Sequence, residues 1–173
     1  RATDGTAADT EDITITITDV GITVTDTSAN LAETAANSAT VVDVDNTGDD
    51  DIAMQWSITA GNTNGDGDGN LPFAINAATG VITVNDADDL DFETTTSYTL
   101  TVRATDGTAA DTEDITITIT DVAPTVTDTS ANLAETAAAN AAVVTVSTTG
   151  DDESLTWSIT AGNTDGDLSL IHI

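Results

Sequence analysis

The sequence predicts an all-β protein made of tandem Greek-key β-sandwiches of about seven strands each, and two observations carry this prediction. First, residues Arg1–Val20 recur without change as Arg103–Val122. The repeat period of about 100 residues is that of a domain with its own core. Second, the residues between the two copies alternate apolar and polar side chains and are interrupted by turn residues, which is typical of short antiparallel strands.

The repeat divides the chain into four predicted segments. Residues 1–20 are the closing hairpin of one repeat, 21–122 form a complete repeat, and 123–167 begin the next one. The final segment, Leu168–Ile173, has no counterpart in the complete repeat and matches the translation of a sequencing-library adapter, so we expect an artefact there. The incomplete repeats should expose unpaired strand edges, which favours head-to-tail self-association between chains.

Alternation of side chains gives the expected strands of the complete repeat. In Ile115–Thr120 the isoleucines should face the core and the threonines solvent, and the copy Ile13–Thr18 should behave alike. The Ala-rich residues 31–36 are ambiguous and allow a single helical turn. Trp56 and Trp157 should be buried on strands. The expected strands are Ile22–Thr25, Ala39–Val44, Met54–Thr59, Phe73–Asn76, Val81–Val84, Tyr98–Ala104 and Ile115–Thr120.

Charge excludes two classes of partner. The chain has 31 acidic residues against two basic ones, both arginine, and its net charge is −29. Nucleic acid and direct contact of this segment with an anionic membrane are therefore not expected, because both require clustered basic residues. The acidic residues have two remaining explanations. They bind divalent cations through hard oxygen ligands, or they keep the protein soluble by mutual repulsion.

Residues suited to catalysis are scarce. The chain has no cysteine and no lysine, and its only histidine, His172, lies in the segment expected to be an artefact. No serine has a candidate base, and the carboxylate pair Asp91 and Glu93 has no sign of a surrounding cleft. We therefore do not expect an enzyme.

Several motifs in the complete repeat resemble a cadherin repeat. They are FAINAATGVITV from Phe73, LDFE from Leu90, YTLTVRATDG from Tyr98, and ITITITDV from Ile115. The resemblance implies a cadherin- or immunoglobulin-like sandwich, an extracellular or cell-surface location and a role in cell adhesion. The Thr-, Ala- and Asp-rich composition is most similar to large bacterial surface or secreted adhesins. We expect a non-catalytic structural spacer (extender) repeat, and the alternative is a carbohydrate- or protein-binding adhesion module.

The same resemblance implies calcium between neighbouring repeats of the chain. At the lower end of the complete repeat the matching positions are Glu33, Asp91, Glu93 and the linker residue Asp121. At the upper end, facing the preceding junction, they are Asp45 and Asp106.

Two departures from the cadherin pattern reduce the expected calcium content. The linker reads DVAP over residues 121–124 and lacks an Asn-Asp-Asn segment, and Ser147 replaces the counterpart of Asp45 in the following repeat. We therefore expect about one or two weak sites, or else solvated acids without calcium. The loop 62–70, NTNGDGDGN, imitates a calcium loop, but Ile75 stands where a bidentate Glu is needed. A Gly-rich connecting loop is the other interpretation.

Overall fold

The computed structural model describes residues 2–3, 5–25, 28–48, 53–127, 129–150 and 155–162. Within these ranges the regular structure consists of strands, and none of the described residues forms a helix that could cross a membrane. The strands are β1 Ala2–Thr3, β2 Ala8–Asp9, β3 Thr23–Thr25, β4 Ser28–Ala32, β5 Thr40–Asp43, β6 Asp45–Thr47, β7 Gln55–Ala60, β8 Phe73–Ile75, β9 Val81–Val84, β10 Ser97–Thr105, β11 Ala110–Thr120, β12 Thr125–Val126 and β13 Thr148–Thr149.

The complete repeat is a sandwich of two sheets. One sheet has the strand order β4-β11-β10-β7, and the other has the order β5-β9-β8. A short pair, β3-β6, accompanies them, and the backbone N–H of Val24 on β3 donates to Asp111 on β11 at 2.9 Å. Strands β10 and β11 form a long antiparallel hairpin, whereas β4 runs parallel to β11. The predicted all-β sandwich is confirmed.

Alternating side chains of the two sheets build one hydrophobic core. Ile115, Ile117 and Ile119 are almost fully buried, and the intervening threonines of β11 are exposed. The predicted register of this strand is therefore confirmed. The core also contains Trp56 and an edge-to-face pair of rings, Phe73 and Tyr98, with centroids 5.1 Å apart. Other core residues are Leu100, Val102 and Ala104 of β10 and Ile82 and Val84 of β9.

Strand β4 differs from the sequence-based expectation. Of the ambiguous residues 31–36, Leu31 and Ala32 belong to β4, and Glu33 and Thr34 form a turn. Residues 28–32 pair with residues 116–120 of β11, and Leu31 is buried beneath that pairing. Pairing and burial outweigh the weak helix preference of an Ala-rich stretch, since local propensity is readily overridden by tertiary context.

The two identical copies adopt different structures. In the first copy Ile13, Ile15 and Ile17 are 84, 82 and 91% exposed, and the strand expected over Ile13–Thr18 is absent. The hairpin tip is nevertheless the same, because β1 and β2 pair Ala2 with Asp9 just as Ala104 pairs with Asp111. In the complete repeat Ile115 and Ile117 pair with Leu100 and Tyr98 of β10, whereas the pairing in the first copy is limited to Ala2–Thr3 with Ala8–Asp9.

The third segment also preserves a local feature of the complete repeat. Strands β12 and β13 pair Thr125 with Thr149, and the same pairing joins Thr23 to Thr47 in the complete repeat. Trp157, expected on a buried strand, is half-buried and lies outside the strands of the described residues, while Trp56 is buried as expected. The segment expected to be an artefact, 168–173, lies outside the described residues.

A glycine contact recurs at both repeat entrances. Gly48 and Gly150 have positive φ values of 113° and 97°. A Cβ at Gly48 would lie 2.2 Å from the carbonyl oxygen of Gly21, and one at Gly150 would lie 2.7 Å from that of Ala123. Both positions require glycine, because an L side chain would be strained at this φ and would meet backbone. The contact at the start of a repeat therefore depends on its own residues, and it is present in both the complete repeat and the third segment.

Candidate metal centre

Glu33 is held at the end of the sandwich by backbone groups from three segments. Its own N–H donates to the carbonyl of Thr120 at 3.2 Å, which continues the pairing of β4 with β11. Its Oε1 accepts the N–H of Val122 at 2.5 Å, and its Oε2 accepts the N–H of Phe92 at 3.0 Å. The side chain is 7% exposed. Glu33 therefore joins β4, the turn after Leu90 and the segment that leaves the repeat.

Asp91 and Glu93 lie on one turn. The carboxylate of Asp91 accepts the N–H groups of Glu93 and Thr94 at 2.9 and 3.2 Å, which closes the turn. Such capping of following N–H groups is typical of aspartate and competes with a strand. Hydrogen bonding to the Thr94 side chain, followed by these backbone donors, lowers the pKa of Asp91 below its ordinary value.

The fold brings the carboxylates of Glu33, Asp91 and Glu93 together. One oxygen from each lies within 4.8 Å of the others. Three carboxylates at this separation repel one another strongly unless a cation lies between them. Carboxylate oxygens are hard ligands of the kind that Ca²⁺ prefers, and the exposed side of Glu93 leaves an approach from solvent. The donor set fits a calcium ion.

Asp121 lies beside this group without belonging to it. Its neighbours on both sides, Thr120 and Val122, contact Glu33 through their backbone. The side chain of Asp121 is exposed, and the three-carboxylate group found among the described residues does not include it.

Asp45 and Asp106 lie at the other end of the sandwich, away from Glu33. Strand β11 is 11 residues long, roughly 35 Å at the usual rise, and Asp106 lies before its start whereas Glu33 lies at its end. Asp45 is exposed on β6. The carboxylate of Asp106 closes the hairpin by accepting the N–H groups of Thr108 and Ala109, both at 2.7 Å. The structure therefore places Asp45 and Asp106 at the opposite end of the repeat from Glu33, Asp91 and Glu93.

The hydrogen bonds of Asp106 in the hairpin lead to a prediction about how the stability of the protein depends on pH. Hydrogen bonds from the backbone of Ala109 and then of Thr108 lower its pKa from the usual 3.8. A carboxylate with a lowered folded pKa stabilises the protein above the unfolded pKa, and this contribution disappears as the pH falls through the folded pKa. We expect the difference in unfolding free energy between wild type and Asp106→Asn to be largest above about pH 4 and to shrink below it.

Urea unfolding across this pH range measures the difference, and comparison with the variant removes the repulsion common to both proteins. The exposed Asp43→Asn serves as the control for loss of one charge. A wild-type advantage over Asp106→Asn that stays constant down to low pH would contradict the assignment.

The loop 62–70 is closed by its own side chains. Asp66 accepts the N–H of Asp68 at 2.9 Å, and Asp68 accepts that of Asn70 at 2.7 Å. Asn64 donates its amide to Asp68 at 3.0 Å and accepts the N–H of Gly67. The backbone N–H of Asn70, followed by the side-chain amides of Asn70 and Asn64, lowers the pKa of Asp68. The loop is an ordered turn, and by itself it forms no group of three carboxylates among the described residues.

Sequence reasoning missed two features near the site. The N–H groups of Phe92 and Val122 that hold Glu33 are backbone donors, which residue types do not reveal. Asp86 and Asp89 are buried, at 8 and 4% exposed, although they belong to a run of acids that reads as solvated surface. The available signal was the apolar Leu90, which anchors that run to the core.

The sequence matches the cadherin domain family over residues 27–120, more than half of its length, and the chain belongs to this family. The cadherin resemblance seen in the motifs is thereby confirmed. No curated protein sequence matches the chain.

Solved cadherin structures are among the proteins to which this chain is similar. Human protocadherin-24 EC1-2 is 20% identical with a TM-score of 0.50, over 78% of this chain and 62% of that one. Drosophila N-cadherin EC1-4 is 23% identical with a TM-score of 0.49, over 61% of this chain and 27% of that one. The chain thus spans less than two thirds of the length of these structures. The similarity to human protocadherin-24 EC1-2 supports the fold alone.

Proposed function

We propose that this chain is a non-catalytic spacer repeat of a large extracellular adhesin of a bacterial surface, and that calcium stiffens the junctions between its repeats. The observation that carries the proposal is the approach of Glu33, Asp91 and Glu93 within 4.8 Å of one another at the exit of the complete repeat. Membership of the cadherin domain family and the tandem sequence repeat support it.

In this proposal Glu33, Asp91 and Glu93 hold the ion, and Asp121 reaches it by rotation of its exposed side chain. Calcium supplies positive charge that offsets the repulsion of the carboxylates. The tether between Glu33 and the N–H of Val122 links the ligands directly to the linker that begins the next repeat. Asp45 and Asp106 serve the preceding junction in the same way. The following repeat carries Ser147 in place of Asp45, so we propose fewer ligands there.

The spacer role follows from how the repeats are joined. The linker between the last residue of β11, Thr120, and the first residue of β12, Thr125, is short. A net charge of −29 makes successive repeats repel each other, which favours an extended arrangement. Such an array projects a distant binding domain and needs no ligand of its own beyond the cation.

Calcium should stabilise the repeat more than sodium at equal ionic strength. An ion that binds only the folded state adds about 2.7 kcal/mol to the unfolding free energy at a hundredfold excess over its Kd. We expect millimolar calcium to raise the melting temperature of wild type. The double variant Asp91→Asn with Glu93→Gln should lose most of that rise, because the half-buried Asp91 and the exposed Glu93 are neutralised while the capping oxygen of residue 91 is retained.

The matched control is Asp43→Asn with Glu135→Gln, which removes the same charges at exposed positions away from the group. It should respond to calcium as wild type does. Equal calcium responses of wild type and the Asp91 and Glu93 double variant would refute the junction site.

The first and last segments should also mediate association between chains. Ile13, Ile15 and Ile17 present apolar side chains with 82 to 91% exposure, and Val126 and Leu133 are more than half exposed at the opposite end. Burial of such surface between chains is favourable, and pairing of opposite ends produces open chains of molecules. Light scattering should show a mass that rises with concentration. A monomer at every concentration would contradict this expectation.

A further inference from the structure

We propose that Asp86 and Asp89, together with the loop 62–70, form a second cation site inside the repeat. It is separate from the group of Glu33, Asp91 and Glu93. Asp86 follows β9 and Asp89 ends the next turn, so both precede the LDFE motif. We call this feature the buried aspartate pair.

The buried aspartate pair has unused oxygens. Asp86 is 8% exposed and Asp89 is 4% exposed. Each has one oxygen, Oδ2, that is buried and lacks a hydrogen-bond partner among the described residues. Burial of an unpaired carboxylate is strongly unfavourable, and buried charges in proteins are paired or coordinate metals. Two such oxygens on neighbouring residues therefore indicate a missing positive ligand.

The chain supplies few cations of its own. It contains no lysine, Arg1 lies outside the described residues, and Arg103 is on β10. Asp89 lies beside Tyr98 of β10, because the hydroxyl of Tyr98 donates to the carbonyl of Asp89 at 2.7 Å. Arg103 lies five residues further along β10 and alternates to the outer face, roughly 16 Å away along the strand. It is not placed to neutralise the pair.

The backbone holds the two carboxylates on one turn. The N–H of Leu90 donates to Ala87 at 3.0 Å, and Asp86 caps this turn through the N–H of Asp88 at 3.3 Å. The hydrogen bond from the N–H of Asp88 holds the carboxylate of Asp86 against the turn that carries Asp89. The turn is also fixed to the body of the repeat, since the N–H of Ala87 donates to Asn37 at 2.7 Å. Both carboxylates are thus preorganised before any ion binds.

The loop 62–70 closes the site from the other side. Oδ1 of Asp89 accepts the N–H groups of Gly65 and Asp66 at 2.6 and 3.1 Å, so the loop is fastened to the carboxylate whose second oxygen is unused. The loop also has backbone carbonyls and the exposed carboxylate of Asp66 near this attachment. Its outer part is exposed and rich in glycine, which gives an ion a route to the buried oxygens when the loop opens.

The chemistry favours calcium. Two carboxylate oxygens and loop carbonyls form a hard, irregular oxygen set, and calcium accepts six to eight such ligands in variable geometry. Magnesium needs a near-ideal octahedron and retains its water, which a buried pair accommodates poorly. Calcium at this position would lock the loop 62–70 onto the turn of residues 86–90 and would stabilise the interior of the repeat independently of its neighbours.

The test is calcium titration by calorimetry on the full chain at constant ionic strength. The first variant, Asp91→Asn with Glu93→Gln, removes the junction ligands and should still bind calcium. A second variant adds Asp86→Asn and Asp89→Asn to it and should lose this remaining binding. Asparagine retains Oδ1, which accepts the N–H groups of Asp88, Gly65 and Asp66, and replaces the unused Oδ2. Circular dichroism should show that the fold is retained.

Asp88→Asn in the same background is the matched control, because Asp88 is exposed on the same turn. It should leave the remaining calcium binding unchanged. The proposal is overturned if the junction variant binds no calcium. It is equally overturned if neutralisation of Asp86 and Asp89 leaves its calcium binding intact. If wild type and the junction variant bind the same amount of calcium, the junction site of the proposed function is contradicted, whereas the buried aspartate pair remains supported.

Discussion

Replacement of Ile117 by alanine should destabilise the complete repeat by about 2–5 kcal/mol, the usual cost of removing a large aliphatic side chain from a core. Ile117 is fully buried in the middle of β11, opposite Tyr98 of β10 and Ala29 of β4. Strand β11 is paired on both sides, by β10 and β4, which limits collapse into the space. Urea unfolding followed by circular dichroism should therefore show a lower midpoint with an unchanged slope.

The chain contains its own control for this experiment. Ile15 has the same neighbours in sequence as Ile117 but is 82% exposed. Ile15→Ala should change the unfolding free energy by less than about 0.5 kcal/mol, as surface substitutions usually do. Equal effects of the two substitutions would mean that burial of Ile117 does not govern the stability of β11.

Gly61→Ala should be destabilising by roughly 3–5 kcal/mol, since a strained φ and a steric clash with backbone act together. Gly61 follows β7 with a φ of 81°, and an added Cβ would lie 1.8 Å from the carbonyl oxygen of Thr99. Thr99 belongs to β10, which is paired on both sides, so the carbonyl cannot retreat without disturbing the sheet. Thermal unfolding measures the loss.

Gly67→Ala separates the two causes. Gly67 has nearly the same φ, 84°, but an added Cβ would meet no atom within 4 Å. This variant should lose only about 1–2 kcal/mol, the cost of the left-handed conformation for an L residue. If both variants lose the same stability, the contact between Gly61 and Thr99 has no energetic importance.

Side-chain periodicity was sufficient to predict β10 and β11. The alternation of isoleucine and threonine in Ile115–Thr120 specified which face is buried, and the structure has that register. The hairpin tips were equally predictable, because Asp106 and Gly107 make a turn that depends on nearby residues alone. The pairing beside this turn is encoded within a few residues, and it appears in both copies.

Long-range pairing was not predictable in the same way. Residues 28–32 have no strong strand pattern, and they become β4 because β11 offers a parallel edge. The first copy shows the converse, since Ile13 to Ile17 carry the full pattern and remain unpaired without a partner sheet. A strand depends on its neighbour as much as on its own residues.

The same distinction between nearby and long-range contacts applies to the residues of the candidate site. Asp91 and Glu93 were recognisable as a pair because they are close in sequence. Their union with Glu33 depends on β4, which places residue 33 beside Thr120. Asp121 was assigned by its position in the linker, and the orientation of an exposed side chain is not fixed by sequence. The burial of Asp86 and Asp89 depends on the packing of Leu90 and on the loop 62–70, neither of which has a periodic signal.

The parallel pairing of β4 and β11 has a mechanical consequence. If the repeat is pulled from its two ends, tension enters it before Ser28 and leaves it after Thr120. The paired residues Ser28–Ala32 and Thr116–Thr120 then slide past each other lengthwise. Their hydrogen bonds lie across the direction of pull and share the load, so they must break together and not one after another. The parallel pairing of the first and last strands of this sheet therefore resists extension by shear.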